Sequence, residues 1–315
     1  VAALPPIDDI IIGFGILFVA PAALTNGLSM TVKGALGPLK ANPVLTVMAL
    51  IGNYVIVPAI VLGFLLVVDL GAQFAVAFAL MALAAGAPFV AWIVSLGKGD
   101  VAYGASLSLM LTVVTIVVVP FGLPPTLRML DTGVDVSVWK LAWPLLVFIL
   151  LPLVIGLLVR ARNVELAGLG AQMLAPISFA ALLVHVTLMF VTYWSDFTAE
   201  FGSGQIAVTL AFPLMCALIG YVLSPPYILS PVKPADPRRG TKIASMIGTS
   251  QRGTQTVICS LIFAFGAYPI AGVVALASSV FTLVILIVLS SELGTRFSKK
   301  AQAATAAATT PQAVG

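Results

Sequence analysis

The chain has 315 residues, 61% of them hydrophobic and only 8% charged, with a net charge of +4 and a mean hydropathy of +1.16. A soluble globular domain carries about 25% charged residues, so this composition excludes one and specifies an integral membrane protein. The basic balance does not point to nucleic acid, because the Lys and Arg residues sit in short connections between apolar runs, where they set membrane orientation.

The apolar runs have helix length and lack period-2 alternation, so they read as helices and not as a barrel. Nine spans are expected, over approximately 9–30, 43–68, 73–97, 101–122, 138–160, 167–193, 205–224, 242–264 and 268–290. They divide into a first repeat of about 9–122 and a second of about 138–290, within a transmembrane domain of 1–300. With the N-terminus outside, every Lys and Arg of the fifteen except Arg128, Lys140 and Arg252 falls in a cytoplasmic segment. That split predicts a cell-membrane protein with an outer N-terminus and a cytoplasmic C-terminus.

The chain starts at Val1 with no methionine, and an upstream signal peptide or helix is expected to precede it. The Pro-rich connection from Pro225 to Pro237 is the longest internal one and reads as a link between rigid helices. Residues 301–315 form an Ala/Thr-rich tail with no apolar face, expected to be disordered. Cys216 and Cys259 have no metal-ligand or redox spacing and read as small buried residues.

Two spans are interrupted. The third contains Ala85-Gly86-Ala87-Pro88-Phe89, where Pro88 removes a backbone donor and clashes with the preceding turn. The eighth contains Gly248 and a polar run, Thr249-Ser250-Gln251-Arg252-Gly253-Thr254-Gln255-Thr256, where a plain span would carry Leu and Val. Lipid cannot satisfy the backbone groups that such breaks free, so each must meet protein or a watery cavity. Four spans lie between the two, so they run in opposite directions. Corresponding broken helices in inverted halves are the usual pointer to a transporter's midplane binding site. An intramembrane arginine costs from about 2.5 kcal/mol upward and needs a partner or a task. Two tasks stand for Arg252: gripping a carboxylate, sulfate or phosphate in two-point fashion, or bonding the carbonyls freed by the other break near Gly86.

Several of these residues carry a family resemblance. The segment from Ala87-Pro88-Phe89 through Trp92 and Gly97-Lys98-Gly99-Asp100 resembles the fourth and fifth helices of the bile acid:sodium symporter superfamily. Gly248 to Thr256 is similar to its ninth helix, and Asn26-Gly27-Leu28-Ser29-Met30 to its Gly-Met-Gly-Leu-Thr-Leu stretch. The resemblance covers nearly the whole chain. It implies an all-α, ten-helix inverted-repeat fold with panel and core domains, lacking the first helix here, whose two broken helices cross. In sodium-coupled members the ninth helix reads Glu-x-Gly-x-Gln-Asn and its Glu binds sodium. Here the stretch is Gln251-Arg252-Gly253-Thr254-Gln255-Thr256, so the carboxylate is absent and only Gln255 is kept. A sodium-binding Gln of the third helix is matched by Asn53, five residues before Pro58. Losing an anionic ligand and gaining a fixed cation both weaken a sodium site.

The expected function is alternating-access transport of an organic anion, with Na+-coupled symport of bile-acid-like or other carboxylate solutes as the alternative, and a channel or sensor on the same scaffold as the next. An enzyme is not expected, because no paired carboxylates or nucleophile with its base lie within the spans. The candidate binding set is Asn53, Gly86, Ala87, Pro88, Phe89, Thr249, Ser250, Gln251, Arg252, Thr254 and Gln255. Asn53 also reads as polar glue between helices. His185, the only histidine, reads either as a proton relay or as a neutral ring bonded to a neighbouring helix. Trp92, Trp139, Trp143 and Trp194 read as interfacial anchors or packing. No metal and no cofactor is expected beyond Na+ as a coupling ion; the partners are the lipid bilayer and the anion, and a homodimer is compatible with the sequence.

Overall fold

A computed structural model describes residues 6–200, 202–224, 239–266 and 269–309, with 196, 197, 200, 203 and 297–309 described by backbone alone. The Pro-rich connection and residues 310–315 of the tail lie outside the described residues. The regular elements of the described residues are all helices, seven of them long and apolar enough to cross a membrane, and the chain is a multi-pass membrane protein.

The first span is α1 (Ile7–Ser29), whose first turn holds Asp8 and Asp9, the charge that a helix N-terminus favours. A short helix, α2 (Val32–Ala41), follows, capped by the Thr31 hydroxyl, which accepts from Gly34 N at 3.0 Å. The next span joins α3 (Pro43–Ile51) to α4 (Val57–Val67) through a π-helical turn, Gly52–Ile56. Pro58 explains the turn: it has no N–H for the Tyr54 carbonyl, and the widened Val57 N–H to Gly52 carbonyl bond relieves the clash.

Two short helices, α5 (Ala72–Leu83) and α6 (Val90–Leu96), occupy the third expected span, with residues 84–89 non-helical between them. Asp100 caps α7 (Val101–Met129) by accepting from Tyr103 N at 2.9 Å. The fifth span repeats the proline device: α8 (Val138–Leu145), a π turn at Leu146–Leu150 and α9 (Leu151–Arg162), with Pro152 just beyond the turn. Asn163 caps α10 (Val164–Thr192), which leads through α11 (Trp194–Glu200) to α12 (Ser203–Val222).

The eighth expected span is again two short helices, α13 (Arg239–Ser250) and α14 (Thr254–Ala264). The last helix, α15 (Pro269–Thr309), corrects one expectation, since residues 301–309 of the tail continue it as helix. The physical reason is alanine, which has the highest helix propensity and extends a helix already nucleated by a packed span.

Packing separates two groups. α1 lies along α9 and α10, approaching α9 so closely that Gly27 and Gly156 sit backbone to backbone. In the second group α5, α6 and α13 pack on α7, α13 also on α12, and α15 against α5, α6 and α12. Helix α14 touches both groups, through α1 on one side and α15 on the other. Exposed Leu158, Met173 and Val191 on α9 and α10 form the apolar outer face that lipid requires.

Candidate functional site

The two interruptions meet. Ala85 and Arg252 form an antiparallel β-bridge, and Gly253 N donates to the Ala84 carbonyl at 2.9 Å, so a minimal strand pair satisfies backbone groups that helix would otherwise satisfy. Glycine is required on both sides. Gly86 has φ +81°, and a Cβ there would lie 2.4 Å from Thr112 N; a Cβ on Gly253 would lie 2.9 Å from the Ala85 carbonyl oxygen.

Arg252 sits at this crossing, 3% exposed. Its Nε donates to the Met81 carbonyl at 2.8 Å and its Nη2 to the Ala82 carbonyl. Its Nη1 donates to Asn53 Oδ1 at 2.9 Å and to the Thr249 carbonyl at 3.1 Å. The carbonyls of Met81 and Ala82 belong to the last turn of α5, which carries unsatisfied acceptors and the negative end of the helix dipole. A planar fork of five donors suits several carbonyls at once, as a lysine ammonium would not. Four of the five guanidinium N–H groups are thus committed to protein oxygens.

Asn53 is delivered by the π turn and is fully buried. Its Nδ2 donates to the Ala49 carbonyl at 2.9 Å and to Thr249 Oγ1 at 3.2 Å while its Oδ1 accepts from Arg252, so one amide ties α3, α13 and the guanidinium together. Thr254 Oγ1 lies 3.5 Å from the Arg252 carbonyl, at the limit of a hydrogen bond. Ser250 belongs to the neighbouring contact, donating to the Pro213 carbonyl of α12 at 2.7 Å. Gln251 and Gln255 are buried with side-chain atoms that no group among the described residues satisfies: Gln251 Oε1, and both Oε1 and Nε2 of Gln255. Orphaned buried amides call for water or a ligand.

On the other chain segment the Ala87 carbonyl accepts from Ser108 Oγ at 2.6 Å. Pro88 and Phe89 turn the chain into α6, and the Phe89 ring packs edge-on against Phe179 of α10 with centroids 6.0 Å apart. Here the sequence reading passed over the residues that hold the segment. Thr115 Oγ1 lies 2.9 Å from both the N and the O of Ala85, and Tyr54 OH donates to the Leu111 carbonyl and lies 2.9 Å from Thr115 Oγ1. Ser108, Thr112 and Thr115 are spaced i, i+4, i+7, a hydroxyl stripe on one face of an apolar span, and that spacing was the available signal.

His185 stands apart from the crossing. Its Nδ1 lies 2.8 Å from the Ile11 carbonyl, and the ring lines a cavity of about 160 Å³ between α1, α10, α14 and α15. Asp8 and Tyr193, joined by a 2.8 Å hydrogen bond from the phenol, line the same cavity.

Residues 17–199 match the model of the Sodium Bile acid symporter family. No curated protein matches the chain.

Proposed function

The chain belongs to the sodium bile acid symporter family, and from that premise we propose that it is a secondary transporter carrying an organic anion by alternating access. In this reading the two interrupted helices are the corresponding members of inverted repeats, α1 with α8–α10 is the panel and the remaining helices are the core. The N-terminus is outside and the C-terminus cytoplasmic, as the Lys and Arg distribution favours.

The observation that carries the reading is the position of Arg252. A permanent cation among three backbone carbonyls and an amide oxygen does at the crossing what a bound metal cation would do. The residues present fit sodium poorly: Asn53, Thr249, Gln251 and Gln255 are neutral. A second cation at roughly 5 Å from the guanidinium meets a repulsion of about 3 kcal/mol at an effective dielectric constant of about 20. The charge remains uncompensated by any buried carboxylate among the described residues, which favours an anion nearby. The orphaned Gln251 and Gln255 amides and the positive N-terminal end of α14 supply neutral donors for it.

Family membership keeps Na+-coupled symport as the second reading. Uptake of labelled taurocholate into proteoliposomes, with Na+ replaced by choline, separates the two. Uptake that persists in choline supports the sodium-independent carrier; uptake that collapses in choline overturns it.

A further inference from the structure

We propose that the coupling ion is a proton and that His185 carries it, binding it at Nε2 in the cavity between α1 and α10 on one side and α14 and α15 on the other. The inference rests on the anion-carrier reading above and names its driving ion. A coupling ion bound where two bodies of the cycle meet has an environment that differs between the two states, which gives it the differential affinity that coupling needs. The His185 cavity is such a place, with walls from both packing groups.

Geometry fixes the tautomer. A carbonyl only accepts, so the 2.8 Å contact with Ile11 O assigns the hydrogen to Nδ1 and leaves Nε2 as the basic nitrogen. No described residue hydrogen-bonds to Nε2. The cavity volume is enough for several waters, at roughly 10–15 Å³ each by the same measure, which gives a proton a route to that nitrogen.

The charged and titratable neighbours are few. From α1 comes Asp8, held by the Tyr193 phenol of α10. From α14 the wall is Ile258, Leu261 and Ile262, and from α15 it is Gly272 and Leu276, none of them titratable. Arg160 and Arg162 of α9 stand near the start of α10, five turns or more from His185 at about 3.6 residues per turn. Tyr268, and the side chains of Asp196 and Glu200 of α11, lie outside the described residues. Among the described residues Asp8 is the carboxylate that lines the cavity, and it can pass a proton inward. Once protonated, the imidazolium presents a positive charge in an otherwise apolar seam, and an anion crossing that seam offsets it. Proton and anion raise each other's affinity by the same factor, and both travel in the same direction.

The test uses the full chain in Na+-free proteoliposomes with labelled taurocholate, a sulfonate whose own charge does not change near neutral pH. An outside-acid gradient of about one pH unit should raise accumulation at least about threefold, and in His185→Gln the remaining uptake should be flat between about pH 5.5 and 7.5. Stimulation that survives in His185→Gln, or parent counterflow with no response to the gradient, overturns the proton role and leaves anion carriage standing. Absence of counterflow in the parent counts against taurocholate carriage instead. The proton role is then decided by histidine-selective 15N NMR on the untagged parent, which has one imidazole. A titration at Nε2 between about pH 4 and 8 with Nδ1 kept hydrogen-bonded supports it, and a ring silent over that range overturns it.

Discussion

At the scale of single residues, Arg252 behaves as a four-way tie. Removing it strands the Met81 and Ala82 carbonyls in a buried crossing, and each unsatisfied buried group costs about 1–3 kcal/mol. Arg252→Gln should therefore lose about 3–5 kcal/mol and lower the thermal unfolding midpoint in detergent by roughly 5 °C or more. Arg252→Lys keeps the charge but not the planar fork, and its midpoint should fall between those of the parent and the Gln variant. A Lys variant equal to the parent would show that charge alone suffices. The polar run around this residue was legible in the sequence because nothing else in an apolar span is so costly. That the carbonyls freed by the other break could be its partners was legible as one of two tasks; which carbonyls was not, since Met81 and Ala82 contribute backbone oxygens, which any residue type could supply. Tyr54 was hidden for a related reason: one hydroxyl in a long span is ordinary, and only its 2.9 Å approach to Thr115 gives it a task.

At the scale of elements, prolines and glycines decide where helices deform and how near they come. Pro58 and Pro152 each follow a π turn and leave the helix continuous, whereas residues 84–89 and 251–253 interrupt it. From sequence alone these prolines look alike. The difference lies in what receives the freed groups, namely the helix's own widened turn in one case and a second chain segment in the other. Glycine packing gives a sharper test. A Cβ on Gly27 would stand 2.2 Å from the Leu153 carbonyl oxygen, while Gly13 on the same helix has nothing within 4 Å. Gly27→Ala should destabilise by about 1–3 kcal/mol as α1 and α9 are forced apart. Gly13→Ala should be neutral or slightly stabilising by helix propensity, and comparing the two melting curves checks both.

At the scale of the molecule, two helix groups meet along a seam crossed by Phe89 on Phe179 and by the His185 cavity, while the crossing ties its own helices tightly. Seven of the nine expected spans are helices long and apolar enough to cross a membrane, because the length of an apolar run is written directly in the sequence; the third and eighth hold short helices instead. How those spans group was not legible, since packing depends on small residues whose partners lie far away in sequence. The guanidinium at the crossing also has a thermodynamic meaning. A dissociable ion stabilises a fold by an amount that grows with the logarithm of its concentration, about 1.4 kcal/mol for each tenfold excess over its dissociation constant. A cation joined covalently to the chain has no concentration term. It is present at full occupancy in any medium, so the unfolding midpoint should be the same in sodium, potassium and choline chloride at equal ionic strength.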